Sequence, residues 1–268
     1  MSLEERIASW SDLGILNYSD AFELQKDLAK RRADEKIHDT ILICQHRPII
    51  HFSANSVLNS FSKYLFDEMK EKGYSDKISE RDVIDYLNRT GIEFGRSTRG
   101  GGGAYIGPGQ IVVYPVVDYE KITGSKFGIN QYKNLIDEVM RDVINSYGVD
   151  AQILKNSDFI EVSDERSDRK DVWVLKDNRP YKLGGKTIIT SRNVAYHGFC
   201  FYLDKEGISG FKYVNPCGHT DEELGVECME NLVGRKIDYE DFKQNVLNVL
   251  EERFAYTSLS EVDKNRFS

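Results

Sequence analysis

The sequence predicts an α+β fold, and three observations predict it. Short apolar and β-branched runs at 40–44, 111–117, 172–175, 187–190 and 196–203 have the length and composition of buried strands. Among them, 18–32, 130–147 and 238–254 repeat apolar residues at helical spacing. The densest glycine cluster, Arg99 to Gln110, opens onto a strand-like run and not onto a helix. The dinucleotide fingerprint Gly-x-Gly-x-x-Gly cannot be placed there, which excludes a Rossmann reading.

The first helix, over 18–32, turns Phe22, Leu24, Gln25, Leu28 and Ala29 inward and leaves Lys26, Lys30, Arg31 and Arg32 for the outside. Its basic end either complements the helix dipole or offers a partner patch. Thr40 to Cys44 follows as a buried strand, with Cys44 in the core. Gln45 to Phe52 is a turn into a second strand, where His46 and His51 read as satisfied loop or core groups. The charged stretch 61–89 carries Val83, Ile84, Tyr86 and Leu87 at helical spacing and reads as one or two surface helices. Glycines before the strand at 111–117 let a ligand approach the backbone.

The helix over 130–147 buries Tyr132, Ile136, Met140, Val143, Ile144 and Tyr147, and Gly148 stops it. Residues 156–170 are polar throughout and read as a solvated loop. Asp177-Asn178-Arg179-Pro180 is a turn that brings Lys182 out beside glycines. Gly185-Lys186-Thr187 imitates the end of a phosphate loop, but the first glycine would fall at Pro180, so that motif fails. In the strand at 196–203, Cys200 reads as core and His197 stays open between site and scaffold. Phe242, Val246, Val249 and Leu250 mark a C-terminal helix, after which the last residues are expected to be loose.

A chain of 268 residues with a formal charge of −8 is too acidic for a general nucleic-acid binder. Its four cysteines, Cys44, Cys200, Cys217 and Cys228, show neither zinc-ligand spacing nor a disulfide framework. The N-terminus is charged, and no window approaches eighteen apolar residues, so neither signal peptide nor membrane span is expected and the location expected is cytoplasmic.

Cys217 stands apart from the other three. Pro216 fixes its own φ, and Gly218 is free to take φ > 0, so the Asn215-Pro216-Cys217-Gly218 turn presents its thiol. That is a place for a nucleophile, although a small hydrophobe in a buried turn is the other reading.

Arg99-Gly100-Gly101, Tyr105-Ile106-Gly107-Pro108-Gly109-Gln110, Val172-Trp173-Val174, Lys182, His197-Gly198-Phe199 and the Asn215 to Gly218 turn occur in one order. With Leu13-Gly14, Tyr18, Gln25 and His46-x-Pro48 upstream, the set resembles the octanoyltransferases of lipoate biosynthesis, from about Leu13 to Gly218. The resemblance implies a mixed β-sheet flanked by helices, the catalytic-domain fold shared by lipoate and biotin protein ligases. It implies one catalytic domain over 1–268, with insertions near 61–89 and 156–170. It also implies an activity: an octanoyl group passes from acyl carrier protein to a lysine of a lipoyl domain or of the glycine-cleavage H protein. Neither cofactor nor metal is implied, and neither nucleic acid nor membrane is a partner.

In that family a lysine stands fifteen residues before the histidine of the His-Gly-Phe segment, which here is Lys182 and not Lys186. Cys217 is then the acyl-carrying nucleophile. Arg99, Gly100, Gly101, Gly102, Gly103, Tyr105, Gly107, His197 and Gly198 are implied to bind substrate. Three departures, Ala104 with Ile106, Tyr202, and the ligase-like Gly184-Gly185, imply an altered acyl pocket.

The chemistry is self-consistent. A thiol of ordinary pKa, about 8.5, is only a few per cent thiolate near neutral pH, and a neighbouring ammonium favours the ionised form. A neutral Lys182 could later accept the proton of the attacking amine. Two alternatives compete: an ATP-dependent lipoate or octanoate ligase, favoured by Ile106 and the paired glycines, and a non-catalytic protein that binds carrier or lipoyl domains.

Overall fold

The computed structural model describes residues 5–53, 60–97, 103–159, 170–215 and 225–267. The strands are β1 (Ile7–Leu16), β2 (Asp39–His46), β3 (Ile49–Ser53), β4 (Glu93–Ser97), β5 (Ala104–Ile106), β6 (Gln110–Asp118), β7 (Ala151–Lys155), β8 (Lys170–Lys176), β9 (Arg179–Lys182), β10 (Gly184–Ser191), β11 (Val194–Tyr202), β12 (Gly225–Val226) and β13 (Ser258–Glu261). The helices are α1 (Tyr18–Ala33), α2 (Lys63–Glu71), α3 (Glu80–Arg89), α4 (Tyr119–Thr123), α5 (Ile129–Asn145), α6 (Lys205–Ile208), α7 (Met229–Val233) and α8 (Tyr239–Arg253).

Among the described residues the largest sheet runs β10-β11-β6-β2-β1-β13. It is mixed: β10, β11, β6 and β2 pair antiparallel, whereas β1 is parallel to both β2 and β13. One face carries α5 and α8, whose Met140, Val143, Phe242, Val246 and Leu250 pack on Ile43, Val113 and Phe201. The other face carries α1 through Tyr18, Ala21, Leu28 and Ala29. Covered on both sides, β6 is buried at every position, which is why its sequence reads as an unbroken apolar run. The second sheet is β12-β9-β8-β7 and the third β4-β3-β5. The α+β expectation with a mixed sheet flanked by helices is therefore met.

Three expectations change. The residues after α8 were expected to be loose, but Ser258 to Glu261 form β13 and pair with Ile7 to Trp10. The strand they join, β1, has no clean alternation, because its register slips between Asp12 and Ile15 and Gly14 takes φ 68°. Residues 61–89 form two helices that are more than surface cover: Leu65, Met69, Val83, Tyr86 and Leu87 build a second core with Phe52, Phe61 and Tyr105. Arg32 was expected outside and is buried.

The buried Arg32 has a physical reason. Its Nε donates to Asp39 Oδ1 at 2.7 Å, and the same oxygen accepts the Asp118 N–H at 3.0 Å, while Tyr256 Oη donates to Oδ2 at 3.0 Å. One carboxylate thus ties α1, β2, β6 and the chain after α8. Replacing Arg32 by Met would leave a buried carboxylate without its cation, and removing one partner of a buried pair costs about 3–5 kcal/mol. Urea unfolding should show Arg32→Met losing that much, and a loss below about 1 kcal/mol would contradict the assignment.

Candidate active site

Lys182 ends β9, and the hairpin before it explains how it gets there. Asp177 and Asn178 both take positive φ, 53° and 61°, the conformation of a tight two-residue hairpin turn, and β8 and β9 pair with Val174 opposite Tyr181. Continuing that register sets Lys182 opposite Trp173, with Asp171 diagonal to it on the same face. Lys182 Nζ lies 2.5 Å from Asp171 Oδ2 and 5.4 Å from the centre of the buried Trp173 ring. The Val172 N–H donates to Asp171 Oδ1 at 3.0 Å, leaving the other oxygen for the lysine. Burial raises the Asp171 pKa, but the ammonium groups of Lys182 and Lys186 outweigh it and hold the carboxyl below its ordinary value.

At Leu183, which is buried, the chain leaves the second sheet and enters the large one as β10. Lys186 is therefore on a different sheet from Lys182. Its Nζ donates to the buried Asp137 of α5 and, at 3.1 Å, to the Lys170 carbonyl beside Asp171. Burial pushes the Asp137 pKa up to about 6 against the pull of Lys186, and Asp171 adds to the rise. The two lysines thus serve different carboxylates within one cluster of four charges.

His197 occupies the other face of the large sheet. Its backbone has φ 69° and Gly198 has φ 154°, a conformation that a side chain at 198 could not share because it would meet the Val113 carbonyl and Pro115. Where Phe199 and Phe201 point toward α5 and α8, the imidazole instead reaches α1. Its Nε2 hydrogen-bonds Tyr18 Oη at 3.0 Å, its ring stacks on Tyr114, and its N–H donates to Gln25 Oε1 at 2.9 Å. Tyr105 lies in the second core instead, edge-on to Phe211 and beside Tyr202. His197 and Tyr105 are each 3 % exposed, and their ring partners belong to different cores, Tyr18 and Tyr114 to one and Phe211 to the other.

Gly103, Gly107 and Gly184 lie where a β-carbon has no room. A side chain at Gly103 would meet Phe52 and Val214, one at Gly107 the ring of Tyr105, and one at Gly184 the Cys200 carbonyl. Arg99, Gly100, Gly101, Gly102 and Cys217 lie outside the described residues. The flanks of the 216–224 segment are described. On one side the Asn215 N–H donates to the Ser60 carbonyl at 2.9 Å, and on the other Val226 of β12 pairs with Lys182, whose carbonyl accepts the Glu227 N–H at 2.9 Å. Burial raises the pKa of the Cys44 and Cys228 thiols, which disfavours their thiolates, and Cys200 is half-buried in β11.

Sequence reasoning singled out Lys182 and His197 and did not single out Asp171, Asp137 or the partnership of Tyr18 with His197. Asp171 was legible in one way: it stands two residues before Trp173, hence on the same strand face, facing the lysine across a short turn.

The catalytic-domain model of lipoyl protein ligases A and B matches residues 69–251. Octanoyltransferases of Alkaliphilus metalliredigens and Desulforamulus reducens are 28% and 29% identical to the chain, covering 94% and 91% of it and 97% and 90% of themselves. Among solved structures, a lipoate-protein ligase A bound with ATP superposes with a TM-score of 0.63 at 12% identity, covering 97% of this chain and 89% of that one. A bi-partite lipoate protein ligase from Thermoplasma acidophilum gives 0.62 at 12% identity, covering 96% and 87%. These two likenesses concern the fold.

The cluster makes a prediction about Lys186. Lys186→Ala removes the cation beside a buried carboxylate, so the protein should lose about 3–5 kcal/mol of stability. Asp137 already has a raised pKa, and losing Lys186 raises it further. A raised carboxyl pKa contributes stability at acid pH that is lost as pH rises through the folded value. Thermal unfolding of Lys186→Ala should therefore show a larger deficit at pH 8 than at pH 5; an equal or smaller deficit at pH 8 would contradict the pairing.

Proposed function

The chain belongs to the lipoyl protein ligase A/B catalytic domain family, and from that premise we propose that it is an acyltransferase of protein lipoylation. It carries an octanoyl group from acyl carrier protein to a lysine amine of a lipoyl domain or the glycine-cleavage H protein. The observation that carries this reading is Lys182, an ammonium held in an ion pair beside the strand that continues from the Cys217 segment. Acyl transfer of this kind needs a thiolate at neutral pH and a nearby cation to favour it, and no nucleotide, because the donor thioester is already activated.

The Cys217 thiolate attacks the thioester carbonyl, the carbon–sulfur bond to the carrier breaks, and the carrier leaves as a thiolate that takes a proton from solvent. The acceptor lysine, as the free amine, then attacks octanoyl-Cys217. An amide forms, the amine gives up its proton to solvent, and the Cys217 thiolate leaves. Lys182 favours the thiolate in both half-reactions by its charge, and its pairing with Asp171 supports this cationic role over that of a neutral base. Arg99, Gly100, Gly101, Gly102, Gly103, Tyr105, Gly107, His197 and Gly198 keep their assignment to substrate binding, with His197 and Tyr105 acting from buried positions.

Intact-mass measurement after mixing the protein with octanoyl-carrier protein, without nucleotide, should show one octanoyl adduct on Cys217, absent from Cys217→Ala. Lys182→Ala should slow transfer by roughly 100-fold or more. An adduct on another cysteine would remove the nucleophile assignment. Transfer only from free octanoate with ATP would make the protein a ligase.

A further inference from the structure

Lys182 is a long side chain with four rotatable bonds, yet it is only 13% exposed and its ammonium is ion-paired to β8. Two contacts on that strand hold the ammonium, and a third holds its carboxylate. Asp171 Oδ2 receives the ammonium at 2.5 Å, the face of Trp173 lies 5.4 Å away, and the Val172 N–H holds the carboxylate by its other oxygen at 3.0 Å. The carboxylate is itself 14% exposed, so the pair is shielded from solvent screening.

We propose that Asp171 is the positioning residue of the acyl-transfer site, fixing the Lys182 ammonium at the end of β9 and keeping it charged. Its action on Cys217 passes through Lys182, so the kinetic part of the proposal rests on the acyl-transfer reading, whereas the Asp171–Lys182 assignment stands by itself.

The other charges near Lys182 sharpen the expectation. Asp137 from α5 and Lys186 from β10 balance one another, and the Glu227 carboxylate that follows β12 is occupied by the Cys228 N–H and Asn231. With Asp171 neutralised, Asp137, which already feels the charge of both Lys186 and Lys182, is the carboxylate left to them among the described residues of this cluster. Lys182 should then release its proton more readily.

Competitive acetylation with trace acetic anhydride, read on the Lys182 peptide by mass spectrometry across pH, measures that release without any acyl donor protein. In Asp171→Asn the midpoint of Lys182 reactivity should fall by at least about one pH unit, a tenfold rise in free amine at a given pH. Asp171→Glu should return the midpoint to the wild-type value. In the transfer assay Asp171→Asn should lower kcat about tenfold or more with little change in KM for the carrier donor, and Asp171→Glu should recover most of kcat. An unchanged midpoint in Asp171→Asn, or an Asp171→Glu protein that behaves as Asp171→Asn in labelling, would overturn the proposal. Should the midpoint shift as expected while the wild-type protein transfers no octanoyl group, the acyl-transfer reading fails and the Asp171–Lys182 assignment survives.

Discussion

The change of sheet at Leu183 is the constraint on which the arrangement of charges depends. A chain that leaves one sheet and enters another inside the protein has to satisfy its backbone at the crossing. Here the Leu183 carbonyl accepts the Tyr202 N–H at 2.8 Å and the Lys182 carbonyl accepts the Glu227 N–H at 2.9 Å, so neither acceptor is stranded. Gly184 follows because its neighbour, the Cys200 carbonyl, leaves no room for a β-carbon. From this crossing Lys182 projects onto β8 and Lys186 onto α5. A continuous strand would have set both lysines on one face, competing for one partner.

Such a cluster is a poor source of stability. Each buried ion gives up several kcal/mol of hydration, and the mutual attraction of well-placed pairs does little more than return it. Its worth is geometric, because a charged group that loses its partner is penalised, so each ammonium stays where its carboxylate is. The apolar packing that supports this lies beneath: Trp173, Val172, Val174 and Met140 belong to the core or line it, and α5 brings Asp137 to the sheet on the same face as Met140 and Val143.

The histidine of β11 is held by a different device on the opposite face. Positive φ at His197, followed by a glycine, turns one side chain out of the strand's alternation and into an aromatic cage formed with α1. A non-glycine residue at positive φ carries a conformational cost, which the Tyr18 and Gln25 hydrogen bonds offset. Consequently β11 joins two environments, with Phe199 and Phe201 in the α5 and α8 core and His197 among the residues of α1.

Sequence by itself determined the class of fold, because β6 and β2 are buried on both faces and α5 has one apolar stripe, and those periodicities are local properties. It also determined the family, through motifs whose order needs no coordinates, and singled out Lys182 among the lysines. It did not disclose β1 or β13, whose irregular or short patterns acquire meaning only when each has a neighbour to pair with. Nor did it disclose that Arg32 turns inward to Asp39, or that Asp137 and Asp171, thirty-four residues apart, share two cations. Those facts belong to tertiary structure for one physical reason: a charged residue looks like a surface residue in any local pattern, and only the three-dimensional meeting of opposite charges makes its burial tolerable.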